Sequence, residues 1–263
     1  MGYQGWCLSV FYMLTNLVFL SVSQPSFTAF FCSNGVGNYT QNSTYQANLN
    51  SLLSSLSYNI NPYGFYNSSF GQGLDRVNAI VLCRGDVDQE NCRVCVQNSA
   101  GKLTQVCPNQ KEAVGWYDLC MLRYSNKSIF GVMSNLPPFA LQNPLNSTNP
   151  ILFSQEVSNL ATSLENRIFS GNPDWKFALG KSNNSNVETI YALMQCTPDI
   201  DPGTCNFCLR LTSNMMSQCC SWRQGARVVG PSCSFWYELF PFYNESAIPS
   251  PPGPPPSPKG NQM

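Results

Sequence analysis

Twelve cysteines carry most of the chemistry this chain can do. There are thirteen in all, and Cys7 stands apart in an apolar leader. The others form two groups of six: Cys32, Cys83, Cys92, Cys95, Cys107 and Cys120, then Cys196, Cys205, Cys208, Cys219, Cys220 and Cys233. Cys83, Cys92, Cys95, Cys107 and Cys120 each recur 113 residues later, at Cys196, Cys205, Cys208, Cys220 and Cys233. Five coincidences at one offset mark an internal duplication whose shared core is C-x8-C-x2-C. Cys32 has no counterpart, and Cys219 appears instead beside Cys220. Such cysteines can hold zinc or form disulfides. The chain has no histidine and a secretory-type leader, so disulfides are expected, with no metal and no cofactor.

The missing histidine also removes the commonest general base and any ordinary Ser-His-Asp triad. No carboxylate pair stands out for glycoside hydrolysis, so no enzyme activity is expected. Asp86 and Asp88 recur as Asp199 and Asp201 at the same offset. Two carboxylates are too few for calcium, and the second of each pair is placed to cap a helix. Net charge is zero, with 14 basic and 14 acidic residues, which argues against a nucleic-acid partner. Charged residues make up only 11% of the chain, so Ser, Asn and attached glycans must keep the surface wet.

Both copies share an order of elements that would position these groups. Each opens with an extended segment, such as Phe27 to Cys32. Leu49, Leu52, Leu53 and Leu56 then form a helical stripe in copy one, as do Phe153, Val157, Leu160, Ala161 and Leu164 in copy two. Tyr66 to Gly73 and Gly180 to Asn186 read as loops. A second helix follows Asp88 or Asp201, the latter with Pro202 at its first position. Its stripe in copy two is Cys205, Cys208, Leu209, Thr212, Met215 and Cys219. Aromatic β-rich stretches close each copy, Val114 to Tyr124 and Arg227 to Tyr243, with Phe235, Trp236, Tyr237 and Phe240 suited to strands.

The ends address the protein. Leu8 to Val22 is mostly apolar, and Ser21-Val22-Ser23 offers small residues for cleavage, although no Lys or Arg precedes the run. Trp6 stands where myristoylation wants Ser or Thr. Seven sequons follow, at Asn38, Asn42, Asn67, Asn126, Asn146, Asn183 and Asn244. Together these predict a secreted, extracellular (apoplastic) glycoprotein without a transmembrane helix. The expected divisions are a signal peptide at 1–23, domain one at 24–130, domain two at 137–245 and a Pro-rich spacer at 246–263.

The doubled C-x8-C-x2-C, Phe31-Cys32-Ser33-Asn34, and Gly225-Ala226-Arg227-Val228 followed by Pro231-Ser232-Cys233 and Tyr237-Glu238 resemble the plant ginkbilobin-homologous, or stress-antifungal, domain. Two copies behind a leader look like cysteine-rich repeat secretory proteins, and equally like the ectodomain of cysteine-rich receptor-like kinases. The resemblance implies an α+β fold: two tandem domains, each a five-stranded antiparallel sheet packed on two helices and stapled by disulfides. It implies the pairs Cys32–Cys107, Cys83–Cys92, Cys95–Cys120, Cys196–Cys205 and Cys208–Cys233, which leaves Cys219 and Cys220 to bridge each other, with two free thiols or an intermolecular bridge as the alternatives. It also implies a mannose site of an Asn, an Arg and a Glu. Arg227 and Glu238 match in copy two, with Asn143 the best placed amide and Asn146 an alternative inside a sequon. Copy one has Val114 and Ser125 at the matching positions. The competing expectation is a plain cross-strand Arg227–Glu238 ion pair. The expected role is recognition or defence through an extracellular glycan or cell-surface protein. A protein-binding module without sugar binding, or a truncated kinase ectodomain, are the alternatives.

Overall fold

A computed structural model of the chain describes residues 26–182, 184 and 187–247. The leader at 1–23, the tail from 248 onward and the sequon at Asn183 lie outside the described residues.

Copy one runs β1 (Phe27–Cys32), α1 (Thr44–Leu56), β2 (Phe65–Phe70), β3 (Val77–Cys83), α2 (Gln89–Val106), β4 (Glu112–Tyr117) and β5 (Cys120–Ser125). Copy two repeats the order with β6 (Phe139–Gln142), α3 (Pro150–Ser170), β7 (Phe177–Lys181), β8 (Tyr191–Cys196), α4 (Pro202–Cys219), β9 (Gly225–Val229) and β10 (Cys233–Glu238). The sheets are ordered β1-β4-β5-β3-β2 and β6-β9-β10-β8-β7, which are the same arrangement, and every pairing is antiparallel. Two α+β domains in tandem are therefore the architecture.

Each helix starts where a side chain can take up an orphan backbone N–H. Ser43 Oγ accepts from the Gln46 N–H at α1, and Asn149 does the same for Leu152 at α3, with Pro150 opening the helix. Asp88 and Asp201 accept from the Asn91 and Thr204 N–H groups, both at 2.9 Å. The helices bury their apolar stripes against one face of each sheet. Leu49, Leu52 and Leu56 meet Val81, Leu122 and Tyr124; Phe153, Leu160 and Leu164 meet Met194, Phe235 and Tyr237. In α4 the buried stripe ends on Met216, while Met215 and Cys219 are half-buried.

The cysteines close these layers. Cys83–Cys92 and Cys196–Cys205 tie a strand to the start of the following helix, and Cys95–Cys120 and Cys208–Cys233 tie that helix to the last strand. Cys32–Cys107 joins β1 to the end of α2. Cys219 and Cys220 bridge each other where α4 ends, with Cα atoms 3.7 Å apart.

Three segments depart from expectation. Tyr66 to Phe70 is strand, and so are Gly180 and Lys181. Their Asn, Ser and Gly residues are poor strand formers, but each segment pairs fully along a neighbouring strand, and that pairing overrides local preference. Phe240 falls beyond β10, exposed, because the chain turns there to lay Phe242 and Tyr243 over the outer face of the second sheet.

Candidate functional site at the junction of the two copies

The outer faces, away from the helices, are where the copies meet. Val114, Trp116 and Met121 of copy one cluster with Ile129, Phe130 and Leu136 of the connector and with Phe139 and Val229 of copy two. The Trp116 indole N–H donates to the Gly230 carbonyl, and the Gln195 amide donates to the Cys83 carbonyl. Arg84 pairs with the buried Asp86, donates to the Phe242 carbonyl and lies over the Trp236 ring. Gly85 faces Phe177 so closely that a Cβ would sit 2.4 Å from the ring, so any larger residue there would push the domains apart.

Asn143, Arg227 and Glu238 come together on this outer face of copy two. Strand register places Arg227 opposite Leu141 and Trp236. One pleat repeat along, Glu238 lies opposite Gly225, whose carbonyl accepts from the Asn143 N–H at 2.8 Å. Residues two apart on a strand share a face, so the three form a triangle. Gly225, with no side chain, leaves room at its centre for the Glu238 carboxylate. A Cβ there would lie 1.9 Å from Glu238 Oε2, so the carboxylate leans over the bare backbone.

The three groups are partly engaged. Arg227 Nη1 donates to Asp118 Oδ1 of copy one at 2.7 Å, and the guanidinium stacks 4.1 Å from the Trp236 ring centre. The Trp236 indole N–H donates to Glu238 Oε1 at 2.9 Å. Burial raises the Glu238 carboxyl pKa; the Trp236 N–H and then the Arg227 charge pull it back. Asn143 Oδ1 accepts from the Leu145 N–H. The expected direct Arg227–Glu238 ion pair is absent among the described residues. Trp236 stands between the two charges, and Asp118 reaches Arg227 first. Asn146, the alternative amide, accepts instead from Arg223 Nη1.

Copy one cannot repeat the site. Val114 is buried in the junction, and Ser125 is buried too. At the offset of Gly225 stands Glu112, paired at 2.8 Å with Arg123, so a buried ion pair takes the place that the Glu238 carboxylate has in copy two. The aspartates of the repeated pairs are spoken for: Asp88 and Asp201 cap helices, Asp86 holds Arg84, and Asp199 accepts from the Gly131 N–H. Among the sequons, Asn38, Asn42, Asn146 and Asn244 are exposed, while Asn67 and Asn126 are half-buried. Sequence reasoning missed Asp118, Trp236 and Gly225. Trp236 and Gly225 could have been found by writing the register of the last hairpin; nothing local marks Asp118.

Residues 31–127 and 142–239 match the salt stress response/antifungal family, once per copy. The chain belongs to that family. Stress-antifungal relatives include the cysteine-rich repeat secretory protein 38 of Arabidopsis thaliana, 38% identical over 80% of this chain and 83% of its own length. The antimicrobial ginkbilobin-2-like protein of Castanea crenata is 38% identical over 89% of this chain and 96% of its own. The cysteine-rich receptor-like protein kinase 25 of Arabidopsis thaliana is 41% identical, but this chain spans only 38% of its length. The crystal structure of the tandem DUF26 ectodomain of the Arabidopsis thaliana cysteine-rich receptor-like protein PDLP8 has the same fold, with a TM-score of 0.70 at 22% identity over 81% of this chain and 97% of that one. Among the described residues no helix is long and apolar enough to cross a membrane.

Proposed function

We propose that the protein is a secreted, non-catalytic recognition protein of stress or defence that binds a mannose-like carbohydrate on the outer face of copy two. The supporting observation is the strand register that sets Asn143, Arg227 and Glu238 around Gly225, with the Glu238 carboxylate over the bare backbone. Sugar hydroxyls both donate and accept. A guanidinium offers several N–H groups, a carboxylate accepts, and an amide does both. Arg227 keeps N–H groups beyond the one given to Asp118, and Glu238 keeps Oε2. The family's secretory and antimicrobial members favour an extracellular place of action. A glycan array probed with the secreted full chain tests the reading. Mannose-type signals lost in Arg227→Ala and Glu238→Ala support it, and a blank array refutes it.

One observation favours a second reading. Arg227 is held by Asp118 and Trp236 as a clasp between the domains. If that is its whole role, the partner is a cell-surface protein that recognises the docked pair. A blank array together with capture of a plant surface protein, lost when the clasp is broken, would favour it.

A further inference from the structure

The first helix of copy two carries a smaller apolar side chain than that of copy one at two core positions, Val157 for Leu49 and Ala161 for Leu53. The stripe Leu49, Leu52, Leu53, Leu56 on α1 corresponds to Val157, Leu160, Ala161, Leu164 on α3. Ala161 thus stands where copy one has Leu53. At that point a groove of about 300 Å³ opens between α3 and α4, reaching down to Met216 and Phe235. This lies at the lower end of the usual range for small-molecule sites. The floor is apolar. The rim is not: Ser158 and Thr162 on α3 face Ser217 on α4. Glu165 and Arg210 also line the groove, yet they do not pair with each other. Glu165 Oε1 accepts from Ser213 Oγ at 2.9 Å, while Arg210 is exposed and makes no ion pair among the described residues. The groove opens on the helix side of the sheet, opposite the Arg227 face.

We infer that this groove is a second ligand site and that it takes a monosaccharide-sized polyol bearing a carboxylate. The apolar floor suits the C–H face of a ring, and the rim hydroxyls, whose protons go to carbonyls of their own helices, keep lone pairs that accept from ring hydroxyls. Glu165 accepts from a hydroxyl at one point. The unpaired Arg210 guanidinium takes the carboxylate in a fork, a contact that a neutral sugar lacks.

The test titrates the secreted full chain with glucuronate and with glucose, by calorimetry. Glucuronate should bind more tightly than glucose. Ala161→Leu, which restores the copy-one side chain, should abolish both. Arg210→Gln, an exposed change that leaves the fold intact, should weaken glucuronate by about tenfold or more and leave glucose unchanged. Glu238→Gln on the opposite face should leave glucuronate binding unchanged while it removes mannose binding, which separates this site from the mannose reading. Absence of glucuronate binding, binding indifferent to both groove variants, or glucuronate binding lost in Glu238→Gln would each overturn the proposal.

Discussion

Breaking the Asp118–Arg227 contact is the sharpest perturbation available, because one hydrogen-bonded ion pair bridges two separately stapled domains. Asp118 Oδ1 accepts from Arg227 Nη1 at 2.7 Å and from Thr28 Oγ1 at 3.0 Å. The Arg227 and Asp118 side chains keep 23% and 34% of their exposure. An exposed pair is worth about 0–1 kcal/mol and truncation of a fully buried one costs about 3–5. This pair sits between, so its coupling should be about 1–2 kcal/mol. Asp118→Asn keeps an acceptor for Thr28 and removes the charge; Arg227→Gln removes the guanidinium and its stack on Trp236. Other contacts, such as Trp116 to Gly230 and Gln195 to Cys83, hold the domains together in each variant. A double-mutant cycle in denaturant isolates the pair from these losses. Coupling within about 0.3 kcal/mol of zero would refute the clasp.

Four other outcomes follow from the same geometry. Cys208→Ser/Cys233→Ser opens a bridge between residues 25 apart and should cost roughly 2–5 kcal/mol; Cys219→Ser/Cys220→Ser, whose bridge closes no chain loop, should cost far less, as chemical denaturation would register. Hydrogen bonds from Asn91 and Thr204 lower the Asp88 and Asp201 pKa values, so these caps stabilise the fold above the ordinary aspartate pKa and lose that effect as pH falls through the lowered values. Protection of the amides at the starts of α2 and α4, taken relative to the intrinsic exchange rate at each pH, should fall in acid, and unchanged protection would contradict the caps. The raised Glu238 pKa works oppositely: its contribution is complete below the ordinary glutamate pKa and disappears as pH rises through the folded value, so Glu238→Gln should flatten the stability profile just above the ordinary value. Glycopeptide mapping should find sugar on exposed Asn38, Asn42 and Asn244 and none on Asn126, whose Oδ1 is buried; a fully occupied Asn126 would contradict its placement.

What could be read in advance followed physical periodicity. The cysteine offset exposed the duplication, and the 3.6-residue stripes found α1 and α3. Asp88 and Asp201 before apolar runs located the starts of α2 and α4. Most of β2 and the last two residues of β7 read as loop from sequence because Asn67, Ser68, Ser69 and Gly180 owe their extended conformation to a neighbouring strand. The site was half legible. Arg227 and Glu238 came from resemblance, but their setting did not. Asp118 lies 109 residues from Arg227 in a tight β4–β5 turn, and only domain docking brings the two together. The same docking turned an expected cross-strand pair into a bridge between domains.

The central claim is that copy two binds a mannose-like sugar through the triangle around Gly225. Its most direct test is calorimetric titration of mannose into wild type, Glu238→Ala and Asp118→Asn. The proposal predicts binding to wild type, loss in Glu238→Ala, and tighter binding in Asp118→Asn, where the freed Arg227 gives its full fork to the sugar. Equal heats in all three proteins, or none in wild type, would contradict it.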